Sequence, residues 1–440
     1  MYREKLSKLQ ALVALICLLQ LGGSLFGQEQ IDQLNACEEK TIIRNYNDTL
    51  YVVCHGADNY PYFTVVDINS NVLRQVVFAY SFVIQVTDFQ VEDEVIYMCG
   101  KIDSDSSWFF GALEIPDMNS STSNFVYVPL NNVSRLSKIH RLSSIWLNRV
   151  LLAGENTNGD AVLIEAVYIA NIGTPSYYRT YTVPLVDGTT KKYTADDMIV
   201  LDNYFVVSSH KKTSGGFSLV EPGKVWFVDR PTGSNHINTS IVRYVNTHFN
   251  TTNPVYLAKR SGTHFYASGT QNILIPRAEV SWYNEMTHQK TVTLSRVSTS
   301  KGIAYNPISD NLEMLVVSDK VYSFDGSLSV PGDSVCGHQF SENNLHSLIP
   351  NSLSGNNYVI SGIGTIPNVS NFNKLFWYNR NQWGDCSTQI SSSVTAAIGY
   401  DSVYSAVNNP LVGTGYDVYG IGIRKESIKT TICGQTTKPE

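Results

Sequence analysis

The stretch VTDFQVEDEVIYMCGKIDSDSSWFFGALEIP, from Val86 to Pro116, decides the fold. It contains three short extended runs, VTDFQV, VIYMCG and FFGALEIP, separated by the polar turns EDE and DSDSS. Apolar and β-branched runs bounded by polar turns are typical of strands joined by short connections. The stretch therefore predicts a strand, turn, strand, turn, strand unit.

Copies of this unit recur along the chain. The most regular part is an aromatic or β-branched run that ends in a small polar residue or a turn. Eight copies occur: FTVVDI, GALEIPD, IEAVYIAN, KVWFVDR, EVSWYNE, KVYSFDG, KLFWYNR and, most weakly, DVYGIGIR. From Asp67 to Arg424 they span 357 residues over seven intervals, or 51 residues per repeat. A period of this length, with several strands per unit, indicates a β-propeller.

Two further kinds of run complete the predicted repeat. A second strand precedes each copy and usually ends at a small residue, as in LYVVCHG, VIYMCG, RVLLAG and, less clearly, SVYSAV. Outer strands such as NFVYVPL, TQISSS and IKTTIC lie between the repeats. The recurrent small residues indicate crowding where neighbouring blades touch. We therefore expect an all-β chain with a single propeller of eight four-stranded blades, or of seven if the weak last repeat completes the first blade.

The N-terminus has the pattern of a cleaved secretory signal peptide. Basic residues precede an apolar run from Ala11 to Leu21, and small residues precede Gln28. This run is shorter than the roughly 20 residues that a membrane-spanning helix needs. We expect an exported protein, whether secreted, periplasmic or attached to the cell surface, with no transmembrane segment in its mature form. The predicted segments are a signal peptide (1–27), a leader (28–36), the propeller domain (37–433) and a disordered tail (434–440).

Charge and motifs exclude several classes of function. The net charge is −6 and no run of Lys and Arg occurs, whereas nucleic-acid binding depends on clustered cations. No motif for a cofactor, a zinc site or a nucleophilic triad is present, so we expect no cofactor and assign no catalytic residue. Two turns carry oxygen ligands at alternate positions, Asp103 with Asp105, and Asn156 with Asn158 and Asp160. Neither continues to the bidentate Glu of a calcium loop, and we interpret both as ordinary turns rather than metal sites.

Four aromatic residues near predicted turns are candidate ligand-binding residues: Trp108, Trp383, Tyr60 and Tyr62. Exposed rings of this kind stack on sugars or peptides. The competing interpretation is packing in the core or across strands.

The cysteines divide into two groups. Cys54 and Cys99 occupy equivalent places in LYVVCHG and VIYMCG, and we predict that both are buried and reduced. The remaining cysteines of the mature chain allow three disulfide connectivities. With eight blades no strand is left to be shared between the first and last, so we favour a bond that closes the ring. The expected pairs are Cys37 with Cys433, and Cys336 with Cys386.

The chain also resembles a group of known proteins. With the signal peptide and the runs VTDFQVEDEVIYMCG and LYVVCHG, it is similar to secreted propeller-like proteins of Bacteroidetes, most of them without an assigned function. The resemblance implies an exported β-propeller and supplies no catalytic residue.

Two functions follow as hypotheses. The first is a non-enzymatic binding or interaction module, a monomer that presents a loop face to a glycan, peptide or protein partner. The alternative is a carbohydrate-active hydrolase or lyase with carboxylates at the mouth of the propeller channel. Convergent carboxylates with a His or Tyr at that mouth would favour the enzyme, and an aromatic platform without them the binding module.

Overall fold

The computed structural model describes residues 30–34, 41–55, 60–66, 72–77, 83–92, 95–103, 106–114, 125–142, 148–171, 174–212, 222–232, 235–237, 241–250, 253–271, 275–316, 319–340, 345–350, 357–364, 372–381, 387–397, 402–407, 411–415 and 424–425. The predicted signal peptide and tail lie outside these residues. Where the chain is described, no helix is long and apolar enough to cross a membrane.

Within the described residues, the strands form seven antiparallel four-stranded units. The innermost strands are β2 (Ile42–Tyr46), β6 (Ile84–Glu92), β10 (Val133–Leu142), β14 (Tyr193–Val200), β18 (Tyr256–Lys259), β22 (Ser300–Asn306) and β26 (Leu345–Pro350). The second strands are β3 (Thr49–His55), β7 (Val95–Ile102), β11 (Asn148–Asn156), β15 (Tyr204–Lys211), β19 (His264–Gln271), β23 (Asn311–Val316) and β27 (Asn357–Gly364).

The outer half of each unit follows the same order. The third strands are β4 (Pro61–Val66), β8 (Trp108–Glu114), β12 (Ala161–Asn171), β16 (Pro222–Asp229), β20 (Arg277–Asn284), β24 (Lys320–Asp325) and β28 (Phe372–Asn379). The fourth strands are β5 (Val72–Val77), β9 (Val126–Leu130), β13 (Thr174–Pro184), β17 (Ile241–Asn250), β21 (Thr287–Leu294), β25 (Ser334–Phe340) and, in the last unit, β1 (Gln30–Leu34). A short 3₁₀ turn, Pro331–Asp333, precedes β25.

The seven innermost strands contact one another in a closed ring, from β2 through β6, β10, β14, β18, β22 and β26 back to β2. Radially arranged four-stranded sheets around a central axis define a β-propeller. The predicted all-β propeller is therefore confirmed.

The ring is closed by a strand from the N-terminus. β1 pairs antiparallel with β28, with Gln30 opposite Trp377 and Leu34 opposite Asn373. The last unit is thus completed by the segment that the sequence predicted to be a leader. A shared strand of this kind makes a disulfide unnecessary for closure.

The C-terminal segment forms a belt around the outside of the ring. It consists of β29 (Ser387–Ala397), β30 (Val403–Val407), β31 (Leu411–Gly415) and β32 (Arg424–Lys425). β29 pairs with both β25 and β21, which joins two units into one nine-stranded sheet, and the later strands pair in turn with β17, β13 and β5.

The belt explains why eight blades are not confirmed. The run SVYSAV, predicted to be the second strand of an eighth blade, contains β30, which is the fifth strand of the sheet that ends in β17. Its side chains are mostly exposed, whereas true second strands such as β3 are buried along their length. TQISSS likewise lies in the belt strand β29, and most of DVYGIGIR and all of IKTTIC lie outside the described residues.

The core lies between neighbouring blades. Apolar residues of β3 and β4 pack against those of β6, β7 and β8, with Phe63 and Phe89 in edge-to-face contact at 5.1 Å between ring centroids. Burying a side chain of this size contributes about 1.5–3 kcal/mol. Equivalent clusters fill the other described junctions, so each blade is stabilised by its neighbours.

The recurrent small residues at the ends of the second strands have a steric cause. A Cβ atom on Gly100 would lie 2.1 Å from the Gln85 carbonyl oxygen, and one on Gly154 would lie 2.2 Å from that of Arg135. Both carbonyls belong to the innermost strand of the same blade. The crowding at these glycines was predicted, but it arises within one blade and not between neighbouring blades.

Candidate functional site

The innermost strands surround a central channel with a volume of about 1190 Å³. All seven of them contribute lining residues. The channel has two ends. We call the end where the innermost strands begin the long-turn end, because the connections between second and third strands emerge there, and the opposite end the short-turn end. Central channels of this kind are common sites for ligands in propellers.

Bulges direct polar residues toward this channel. β6, β10 and β14 each carry an irregularity, between Val86 and Asp88, Leu136 and Lys138, and Ala195 and Asp197. An extra residue bends the strand and changes the direction of the side chains that follow it. Asp88, Lys138 and Asp197 thereby occupy equivalent positions on three consecutive innermost strands and line the channel.

The two carboxylates of this set, Asp88 and Asp197, link successive blades. Oδ2 of Asp88 accepts a hydrogen bond from the backbone N–H of Ile139 at 3.1 Å, and Oδ2 of Asp197 accepts one from the N–H of Leu257 at 2.9 Å. Each carboxylate also has a cation. Asp88 forms an ion pair with Arg44, and Asp197 lies 3.3 Å from the Lys138 ammonium. Paired and hydrogen-bonded buried carboxylates of this kind hold a structure together.

A histidine makes a similar link at the long-turn end. Nε2 of His55 accepts the backbone N–H of Val86 at 3.0 Å, which joins the first blade to the second. Burial lowers the pKa of His55 to about 4, although Asp103 partly opposes this. The imidazole is therefore neutral at pH 7, as an acceptor must be.

A third acidic residue forms a small polar cluster in the channel wall. Oδ1 of Asp196 lies 2.7 Å from Nδ1 of His210, and Oδ2 accepts the backbone N–H of Val255 at 3.0 Å. Burial raises the pKa of the Asp196 carboxyl, which His210 partly offsets. Burial, together with the charges of Asp196 and Asp197, also raises the pKa of the nearby Tyr256 hydroxyl.

The channel has an excess of positive charge. Among the described lining residues seven are Lys or Arg and four are Asp or Glu, so the channel is positive although the whole chain is negative. Arg44 and Lys138 are paired as described above. Arg230, Lys259 and Lys301 form no ion pair with a described carboxylate, and all three are exposed to the channel.

The three aromatic residues predicted to bind a ligand that the structure describes do not line this channel. Tyr62 is 5% exposed, and Tyr60 packs beside it in the apolar cluster between the last blade and the first. Trp108 begins β8 and packs against the separate cluster formed by residues of β7, β10 and β11. None of these three lines the cavity, and Trp383 lies outside the described residues.

The cysteines correct two predictions. Cys99 is buried with a free thiol, as predicted, and burial raises its pKa. Cys54 is buried but disulfide-bonded, so the prediction of a reduced thiol was wrong. Cys336 is a free, exposed thiol opposite Ser391 of β29, and the predicted bond with Cys386 is therefore absent. Cys37, Cys386 and Cys433 lie outside the described residues.

One of the two turns considered for calcium uses its polar groups internally, and Asp105 of the other lies outside the described residues. Asn156 Oδ1 accepts the backbone N–H of Asp160 at 2.9 Å, across a turn in which Gly159 has φ of 79°. The Asp160 carboxylate is held by the Lys192 ammonium at 2.5 Å. No group of three or more His, Cys, Asp or Glu side chains that could hold a metal ion occurs among the described residues.

One signal of this site is present in the sequence. Asp88 in VTDFQV and Asp197 in TADDMIV are acidic residues inside otherwise apolar strands, a costly placement unless the carboxylate is paired. An alignment of the innermost strands of the repeats would have identified both as equivalent. The contact of Asp196 with His210 lies within one hairpin, and its contact with Val255 depends on the three-dimensional ring. Neither leaves such a pattern.

Comparisons with known proteins agree with the architecture only in outline. No protein-family model matches the sequence, and no curated protein matches it either. Among solved structures, the chain is similar to the β-propeller domain of Myceliophteria thermophila Cps50 (Swd1), with 10% identity, coverage of 79% of this chain and 99% of that chain, and a TM-score of 0.44. It is also similar to the Dos1 propeller, with 11% identity, coverage of 80% of this chain and 97% of that chain, and a TM-score of 0.45. A third similar structure is the polysaccharide lyase Uly1, with 9% identity, coverage of 77% of this chain and 89% of that chain, and a TM-score of 0.41. The assignment to the propeller class rests on the strand order of the chain itself.

Proposed function

We propose that this chain is an exported, non-enzymatic binding module, a seven-bladed propeller whose channel and surrounding loops hold a glycan, peptide or protein partner. The proposal rests on how the charged side chains of the channel are used. Carboxylates there are engaged in joining blades, whereas three cations face the cavity without an ion-pair partner among the described residues. Such a channel has groups available for binding but few for proton transfer.

The alternative, a carbohydrate-active hydrolase or lyase, has one observation in its favour. Asp196, Asp197 and Tyr256 line one part of the channel, and His210, which does not itself line the cavity, contacts Asp196; carboxylates with a His or Tyr are the combination that sequence reasoning associates with an enzyme. A general base needs a lone pair within reach of the substrate proton. All four oxygens of the two carboxylates already accept a hydrogen bond or contact a cation. The imidazole of His210, oriented by Asp196, is the remaining candidate base.

Export is part of the proposal. The N-terminal pattern of residues 1–27 supports it, as does the resemblance to secreted propeller-like proteins. The disulfide at Cys54 adds support, because disulfides persist mainly in oxidising compartments.

A glycan and peptide array probed with the mature chain, followed by product analysis of each hit, tests the proposal. We expect at least one ligand that is bound and recovered unchanged, and we expect His210→Asn to bind it with the same affinity. Cleaved or unsaturated products that disappear in His210→Asn would establish the enzyme instead. An array without any ligand would contradict the binding module.

A further inference from the structure

Two cations that have no ion-pair partner among the described residues line the short-turn end of the channel, on adjacent blades. Lys259 is the last residue of β18, and Arg230 directly follows β16. Arg230 is fixed over the end of β14, because its backbone N–H donates to the Asn203 carbonyl at 2.9 Å and its Nη1 donates to the Leu201 carbonyl at 3.3 Å. Its charge is thus anchored by backbone groups and has no carboxylate partner among the described residues.

His140 shows that both cations act on the same region. This residue lies on β10, on the other side of β14 from β18, and it lines the channel. The pKa of His140 is lowered to about 4, chiefly by burial and also by the positive charges of Lys259 and Arg230, and Asp88 partly opposes this shift. The imidazole is therefore neutral at pH 7.

The acidic residues nearby form other contacts. Asp229, directly before Arg230, lies 2.7 Å from Arg243. Glu92, at the end of β6, lies 3.9 Å from Arg141. Asp202, in the turn after β14, packs against Gly262. None of the three forms an ion pair with Lys259 or Arg230 among the described contacts. In a chain of net charge −6, two such cations beside a cavity mark a place where an external anion would be attracted.

We infer that the short-turn end of the channel binds a small polyanion carrying two or more phosphate or sulfate groups, held by Arg230 and Lys259. The inference rests on the proposed binding function and specifies its ligand. A guanidinium offers a planar fork of donors, and an ammonium offers a compact charge with three donors. A tetrahedral anion presents oxygens in several directions and can accept from both at once. The neutral His140 adds a ring nitrogen that can donate a hydrogen bond without further charge.

Isothermal titration of the mature chain tests this inference with two probes, inorganic tripolyphosphate and sucrose octasulfate, which separate phosphate from sulfate sources. We expect at least one to bind, with affinity that falls as salt is added. Arg230→Gln and Lys259→Gln should each weaken binding roughly tenfold, since a charge-assisted hydrogen bond is lost in each. Lys290→Gln, in β21 and away from the cavity, should leave the affinity within about twofold.

Several outcomes would overturn the inference. These are failure of both probes to bind, equal losses in Lys290→Gln and the two channel variants, and citrate binding as tightly as either probe. Arg230→Lys is a second variant that keeps the charge and should recover part of the affinity. If both probes fail while the array yields a ligand that Arg230→Gln does not affect, the polyanion inference fails and the binding module stands.

Discussion

Replacing Glu313 with glutamine should change how the stability of the ring depends on pH. Glu313 lies on β23, is fully buried, and faces the last blade. Its Oε2 accepts hydrogen bonds from Ser323 at 2.8 Å and from Tyr378 at 3.4 Å. Its Oε1 lies 3.4 Å from Nε of Arg380 without forming a hydrogen bond. The cost of burial therefore exceeds the attraction of the guanidinium, and it raises the pKa of Glu313 from 4.5 to about 7.

The sign of the effect follows from proton linkage. Between pH 4.5 and 7 the folded chain holds a proton at Glu313 that the unfolded chain releases, so the free energy of unfolding falls as the pH rises through this range. The stabilising contribution is fully present below pH 4.5 and is lost above the folded pKa of about 7. At about 1.4 kcal/mol per pKa unit, the loss attributable to this group between pH 5 and pH 8 is about 2.5 kcal/mol.

Urea unfolding of the wild type and Glu313→Gln at pH 5, 6, 7 and 8 measures this difference. Because the glutamine does not titrate, the stability of the variant relative to wild type should rise by about 2.5 kcal/mol from pH 5 to pH 8. Asp333→Asn, which changes an exposed carboxylate, serves as the control and should follow the wild type. A change of less than about 1 kcal/mol in Glu313→Gln would refute the reasoning, because burial would not then control this carboxyl.

Three further outcomes are expected. Deleting residues 28–34 removes β1 and should lower the free energy of unfolding by about 3–5 kcal/mol, because the five-residue ladder with β28 is lost. Deleting residues 434–440 is the control and should leave the melting temperature unchanged. An unchanged melting temperature after the first deletion would argue against closure by β1. In the native protein, iodoacetamide should label the exposed Cys336 within minutes and leave the buried Cys99 unmodified. Mass spectrometry of the tryptic peptides identifies the labelled thiol, and a labelled Cys99 with an unmodified Cys336 would contradict the prediction. Asp88→Asn should lower the free energy of unfolding by about 3–5 kcal/mol, because it leaves Arg44 without its charge partner and weakens the hydrogen bond to Ile139 of the next blade. Urea unfolding at neutral pH measures the change, and a clearly smaller loss would contradict the prediction.

The sequence predicted the strands that are buried on both faces. The first seven copies of the aromatic and β-branched run correspond to the third strands, from β4 to β28. These strands pack between neighbouring blades, and so they are rich in aromatic and β-branched residues. The predicted number of blades was not confirmed, because one strand of the ring lacks this composition. β1 reads QIDQL, which is largely polar, and it was assigned to a leader although its backbone completes the last blade.

The candidate site was less predictable than the fold because it is built from innermost strands. These strands contain bulges, which break the alternation that identifies a strand. The cations Arg230 and Lys259 end or follow strands in different blades, and only the ring brings them near His140. Trp108, Tyr60 and Tyr62, which lie near turns, pack against apolar clusters and do not line the channel.

The closing strand also fixes an order of events during synthesis. β1 is among the first segments made, yet its partner β28 begins about 340 residues later, so the strand has no ladder to join until almost the whole ring exists. Bringing such distant segments together costs about 5 kcal/mol of chain entropy. Until then the edge of β28 and the backbone of β1 can pair with another molecule, which makes late chain closure the step most exposed to misassembly.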